Sequence, residues 1–226
     1  MSRPWSGLLS EADLEIYEAA GFGRTTGLGK RPALLVIDVQ YRTSGSADVP
    51  ILEAMKEYRT ACGTHAWAAI PHIAELVRAF RARSFPVIYP HVARKTGHDV
   101  GGLASKMPAL LEVDARGYEI VQEVAPEPGE LLLSKVHASA FAGTPLAGYL
   151  VHLGVDSLVV TGCSTSGCVR ATVVDASFLN YRVAVPHDAV FDRIQVSHAM
   201  NLFDMASKYA DVLATRDLIA GLDAAD

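Results

Sequence analysis

Three side chains in this sequence could together perform nucleophilic chemistry: Asp38, Lys135 and Cys168. Cys168 stands in the run Leu158-Val159-Val160-Thr161-Gly162-Cys163-Ser164-Thr165-Ser166-Gly167-Cys168-Val169-Arg170-Ala171-Thr172. Its apolar and β-branched start reads as a buried strand. A turn of small residues follows, and then a helix begins. Cys168 is expected in the first turn of that helix. There the unpaired backbone N–H groups and the helix dipole favour a thiolate over a thiol. Strand, small-residue turn and cysteine at a helix start describe a nucleophile elbow built on sulfur. The other use of a free cysteine is as a small buried hydrophobe. Position favours chemistry: Val169, Thr172, Val173 and Ala176 recur at helical spacing and mark the packed face. Cys168 precedes that stripe, at the end facing the mouth of a sheet.

Asp38 ends the apolar run 33–37, and Lys135 ends the run 131–134. A thiol needs a proton acceptor, and a carboxylate at a neighbouring strand tip supplies one. An ammonium beside both favours the thiolate and keeps the carboxylate charged. Taken singly, each has an ordinary alternative. An Asp there can cap a turn, and a Lys can end a strand in solvent. Their joint placement is what points to a site.

The elements that must position these residues alternate in type. Residues 33–37, 85–90, 131–134, 156–161, 182–185 and 211–214 read as six strands. Helices are expected over 10–20 (Ser10 as N-cap, Gly21 past the end), 66–83, 144–153 and 194–208, besides the one after Cys168. Such alternation predicts an α/β fold: a three-layer, Rossmann-like, mainly parallel six-stranded sheet with helices on both faces. Ligands of such sheets bind beyond the carboxyl ends of the strands, where the strand order reverses. The whole chain, 1–226, reads as one domain with an N-terminal arm of about 30 residues. Residues 41–65 form an excursion over the sheet edge, a lid or an interface. Residues 91–129 read as irregular with short helical turns.

Composition narrows the function further. Half of the 226 residues are hydrophobic, which suits a sheet covered on both faces. The net charge of −5, with no basic run, argues against nucleic acid and anionic membranes as partners. No long apolar stretch or signal-like start is present, so a cytoplasmic protein is expected. Three cysteines without CxxC spacing argue against a disulfide framework and a structural zinc site. Trp5, Leu8, Leu9, Ile51 and Trp67 have no obvious place in the sheet core and suggest a homo-oligomer, a dimer or tetramer.

Three runs carry a family resemblance: Leu34-Leu35-Val36-Ile37-Asp38-Val39-Gln40, Lys135-Val136-His137-Ala138-Ser139-Ala140-Phe141, and Thr161 through Thr172. The chain resembles the isochorismatase-like cysteine hydrolases, and within them the N-carbamoylsarcosine amidohydrolase group. The resemblance implies a Cys168-Asp38-Lys135 triad that hydrolyses a linear C–N bond and releases ammonia. It also implies a cis peptide between Cys163 and Ser164, with the Ser164 and Cys168 N–H groups forming the oxyanion hole. Substrate would be a small carboxylate-bearing ureido or amide compound, N-carbamoylsarcosine-like. Maleamate and ureidoacrylate are the alternatives, and a non-catalytic binding protein on the same fold is the rival class. No cofactor is implied. The Asp/His cluster of zinc-dependent relatives has no counterpart in 41–63, so no metal is expected. Phe141-Ala142 stands where a phenylalanine pair is common, which makes Phe141 a wall of a locally wider pocket.

Arg193, in a loop after the fifth strand, has two readings: a fork for a substrate carboxylate, or an ion pair with Asp188 or Asp192. Arg170, two residues past the nucleophile, is expected to point into structural pairing. His91, His98 and His137 read as polar loop residues.

Overall fold

The computed structural model of the protein describes residues 3–95, 105–108 and 111–223. Its centre is a sheet of strands β1 (Pro32–Ile37), β2 (Val87–Val92), β3 (Leu131–Lys135), β4 (Ser157–Cys163), β5 (Arg182–Pro186), β6 (Val190–Phe191) and β7 (Asp211–Leu213). All pairings are parallel, in the order β3-β2-β1-β4-β5-β7, and β6 lies beside the C-terminal end of β4. The sheet has seven strands rather than the six expected. The extra one, β6, is two residues long, too short for a period-two pattern to mark it.

β1 and β4 are buried along their whole length, and alternate residues feed opposite cores. Leu34 and Val36 join one layer with Ile70, Ile73, Val77 and Phe80 of helix α4 (Thr64–Ala82) and with Leu218 and Leu222 of helix α8 (Thr215–Asp223). Leu35 and Ile37 join the other. It is built from Leu146 and Leu150 of helix α5 (Leu146–His152), Val173 and Ala176 of helix α6 (Arg170–Phe178), and Leu202 and Met205 of helix α7 (Gln195–Lys208).

The N-terminal arm holds helix α1 (Glu11–Ala19), whose Ser10 caps it reciprocally with Asp13, and Gly21 follows at φ +71°. Trp5 was expected at an exposed interface. It is instead 5% exposed and packs edge-on against Phe203, with ring centroids 5.8 Å apart. Leu9 and Trp67 also pack against the cores, while Leu8 stays exposed. The excursion after β1 folds as α2 (Tyr41–Ser44) and α3 (Ile51–Glu57). No described helix is long and apolar enough to cross a membrane.

Candidate active site

Sheet order reverses between β1 and β4: β2 and β3 extend one way, β5 and β7 the other. Asp38 follows β1 at this point, and the turn carrying Cys168 follows β4. The two strands approach closely here. A Cβ on Gly162, whose φ is +99°, would stand 2.0 Å from the Ile37 carbonyl oxygen, so only glycine fits. Asp38 itself adopts a left-handed φ of +52°, a conformation that Asp tolerates better than most residues. Its N–H donates to Pro90 O at 2.9 Å, and the Thr43 hydroxyl donates to its carbonyl at 2.5 Å. Asp38 is therefore not a turn cap: its side chain is committed elsewhere.

Lys135 comes from β3, two strands away, and its fully buried side chain reaches across. The ammonium stands 2.8 Å from Asp38 Oδ2, donates to Cys168 Sγ at 3.3 Å, and donates to His137 O at 3.3 Å. The three residues paired by sequence reasoning thus meet around one nitrogen. Asp38 Oδ1 is buried with no hydrogen-bond donor among the described residues, which leaves an open acceptor beside the thiol.

The electrostatics correct one expectation. Cys168 lies not in the first turn of α6 but in a π-helical turn, Thr165–Val169, before it. Burial, with the Asp38 charge next, pushes the Cys168 thiol up to about 12, against the opposing pull of Lys135. Desolvation outweighs the helix-end effect invoked from sequence, so the resting sulfur is a protonated thiol. Burial works against the Lys135 charge, but Asp38 and Cys168 outweigh it and hold its pKa above the ordinary value. The lysine stays cationic. A cation, a carboxylate and a neutral thiol in contact form a nucleophile awaiting proton transfer.

These groups line a cavity of about 280 Å³. Its wall includes Ser164, Cys163 and Gly167 from the elbow, Arg42, Thr43 and Thr60 from the excursion, Lys95 from the segment after β2, and Arg193. The Cys163–Ser164 peptide bond is cis. Among the described lining residues Asp38 is the only acid, against four lysines and arginines. The excursion is thus a wall of the site, a contribution from distant chain that local sequence pattern does not reveal.

Of the two readings of Arg193, the ion pair with Asp188 or Asp192 is not formed. Asp188 is occupied by the Thr215 N–H and hydroxyl, at 2.9 and 2.7 Å, at the start of α8. Asp192 accepts the Ser166 N–H and hydroxyl and the Arg193 backbone N–H. The Arg193 guanidinium has no ion pair among the described residues: one nitrogen donates to Thr60 O, and Nε is buried without a partner. Burial lowers its pKa, but nearby Cys163, Cys62 and Asp192 more than offset this.

Phe141 is a different matter. It stacks on Tyr181, centroids 6.4 Å apart, and is not among the cavity-lining residues. Packing against the α6 layer, not ligand contact, occupies it. Arg170 pairs with Asn201 Oδ1 at 2.9 Å and Asp204 at 3.6 Å, in the structural role expected. His91 bonds Tyr89 O and the Ser134 hydroxyl. His98 lies outside the described residues, and no metal-holding cluster exists among those described.

Sequence reasoning placed Thr172, four residues past Cys168, only on the packed face of the helix. Its hydroxyl donates to Cys168 O at 2.7 Å and accepts the Ala140 N–H at 3.0 Å, tying the loop after Lys135 to the elbow. The i,i+4 spacing was the available signal.

Known proteins similar to this chain include amidohydrolases. An N-carbamoylsarcosine amidase from Arthrobacter sp is 33% identical over 221 residues, covering 95% of this chain and 80% of that protein. A maleamate amidohydrolase from Pseudomonas putida is 36% identical over 208 residues, covering 89% and 91%. The crystal structure of a cysteine hydrolase from Pseudomonas syringae pv. phaseolicola shares the fold, with a TM-score of 0.78, 22% identity, and 91% and 98% coverage. Residues 32–217, which hold the whole Asp38-Lys135-Cys168 cluster and Arg193, match the isochorismatase domain, and the chain belongs to that family.

Proposed function

We propose that this protein is a cysteine amidohydrolase that cleaves a linear C–N bond of a small carboxylate-bearing ureido or amide compound, N-carbamoylsarcosine-like, and releases ammonia. The observation that carries this reading is the Lys135 ammonium held between Asp38 and Cys168 at 2.8 and 3.3 Å. Asp38 takes the Cys168 proton as sulfur attacks the carbonyl carbon, so the high resting pKa of the thiol is overcome only as the bond forms. The N–H groups of Ser164 and Cys168 hold the tetrahedral oxyanion. Protonated Asp38 then gives its proton to the leaving nitrogen, ammonia departs, and an acyl- or carbamoyl-thioester remains. Water, deprotonated by Asp38, attacks this ester, and Cys168 leaves and recovers the proton. With a ureido substrate the carbamoyl carbon ends as carbon dioxide. Lys135 orients Asp38 and stabilises the developing thiolate.

The cavity, about 280 Å³, lies near the lower edge of the ~300–1,000 Å³ typical of ligand sites and suits a metabolite of few atoms. Its surplus of cations supports an anionic substrate. Arg193 is the carboxylate fork, because both candidate aspartate partners are engaged elsewhere. Maleamate-like half-amides are the second reading, supported by the similarity to a maleamate amidohydrolase over nine-tenths of each chain; ureidoacrylate-type substrates come third. Ammonia release from a panel of ureido acids, half-amides and nicotinamide tests the proposal. Turnover of a ureido acid or half-amide supports it. Turnover of nicotinamide alone, or of nothing in the panel, contradicts it.

A further inference from the structure

Asp192 is 5% exposed and carries no part of the chemistry above, yet its carboxylate is fully committed. Oδ2 accepts the Ser166 N–H at 2.8 Å and the Ser166 hydroxyl at 2.7 Å. Oδ1 accepts the Arg193 backbone N–H at 2.8 Å. Ser166 lies in the π-helical turn that presents Cys168, two residues on. Arg193 carries the guanidinium that faces the cavity. One buried anion therefore ties together the segment that holds the nucleophile and the residue read as the substrate fork. The register of β6 on β4, Cys163 opposite Phe191, brings the two segments side by side. It does not reach the turn beyond β4, which is held by the carboxylate at Ser166, by the Thr165 hydroxyl on His198 Nδ1 at 2.8 Å and by the Thr172 hydroxyl on Cys168 O. Three short bonds to an anion also explain how a buried aspartate beside Arg193 is stable without pairing its guanidinium. A direct ion pair would have withdrawn that guanidinium from the cavity.

We propose that Asp192 is a positioning residue, which sets the distance between the Cys168 sulfur and the Arg193 guanidinium and so determines how far a substrate carboxylate stands from its scissile carbonyl. This rests on the reading of Arg193 as the carboxylate fork of an amidohydrolase. Asp192→Asn keeps the shape but replaces one acceptor oxygen by an NH2 group. Whichever way the amide turns, it faces a backbone N–H of Ser166 or Arg193 with a donor. One of the two tethers is lost and the other survives. Ser166→Ala removes only the hydroxyl bond and keeps the N–H bond.

The test compares kcat and KM of the wild type, Asp192→Asn and Ser166→Ala on a ureido acid and on its neutral amide. Iodoacetamide alkylation of Cys168 is followed in the same proteins. Asp192→Asn is expected to lose about 10- to 100-fold in kcat/KM on the acid, the usual range for a bond to a charged group, and less on the neutral amide. Alkylation should quicken at least about threefold, because a displaced turn relieves the burial and the Asp38 charge that hold the thiol up. Ser166→Ala should show the same pattern, smaller. A residue that merely supports the fold would lower thermal stability without separating acid from amide. Equal losses on both substrates, or unchanged kcat/KM and unchanged alkylation in a folded Asp192→Asn, overturn the inference. If Asp192→Asn does not fold, Ser166→Ala decides on the same two readouts. A wild type inactive on every acid and amide would instead defeat the amidohydrolase reading, and the alkylation rates would then judge the tether alone.

Discussion

At the scale of single residues, the site rests on a conflict between burial and charge. Cys168 is surrounded so closely that its thiol stands at about 12, far above the ~8.5 of a free cysteine. Alkylation of Cys168 by iodoacetamide should therefore keep rising with pH through 10 without a plateau. A plateau near pH 8 would show the thiol to be unperturbed. The sign for stability follows: a raised folded pKa costs nothing below the ordinary value, and its contribution is lost as pH climbs from about 8.5 toward 12. Cys168→Ala, which has no group to titrate, should lose less melting temperature between pH 7 and 10 than the wild type. In the proposed mechanism Asp38 takes the thiol proton. Asp38→Asn keeps the shape and removes the base, a role worth about 10²–10⁴-fold. The loss should fall on kcat, and a loss confined to KM would give Asp38 another task.

Elements place these residues, and the two ends of the chain were the least legible of them. The Asp38, Lys135 and Cys168 positions were legible because each follows a continuous apolar run, and parallel strands send their C-termini to one edge. β6 was not legible, since two residues carry no period. Nor was α8, whose first N–H is satisfied by Asp188, 27 residues away, rather than by a nearby cap. Trp5 was misjudged for a similar reason: no local pattern says that the arm folds back on Phe203 of α7. Its burial predicts that Trp5→Ala lowers stability by about 3–5 kcal/mol, read as a drop in melting temperature of roughly 6–20 °C. A shift under 2 °C would mean that the arm is not docked in solution. At the loop after β6, Arg193→Ala should cut kcat/KM on acidic substrates roughly tenfold or more and leave neutral amides little changed. Equal losses on both would reduce Arg193 to a brace for the Thr60 carbonyl.

At the scale of the whole molecule, the cavity is assembled from segments spread between Asp38 and Arg193. The triad could be proposed from strand ends, and Ser164 and Arg193 of the wall were also named, but the rest of the wall was not. Arg42 and Thr60 reach the site only through the folded excursion, and Lys95 only through the segment after β2. The same holds for the electrostatics. A helix-end cysteine looks like a thiolate until the packed surroundings are known, and desolvation then reverses the sign. The assembled molecule holds the Cys168 thiol against Asp38 and Lys135 in a small cationic chamber, and the proposal is that this thiol attacks. The most direct measurement is the mass of the peptide containing Cys168 after acid quench during turnover of a ureido acid or half-amide, with ammonia release followed in parallel for Cys168→Ala. An acyl or carbamoyl adduct on Cys168 is expected in the wild type, and no ammonia from the folded alanine variant. Ammonia released by Cys168→Ala at the wild-type rate would contradict the proposal.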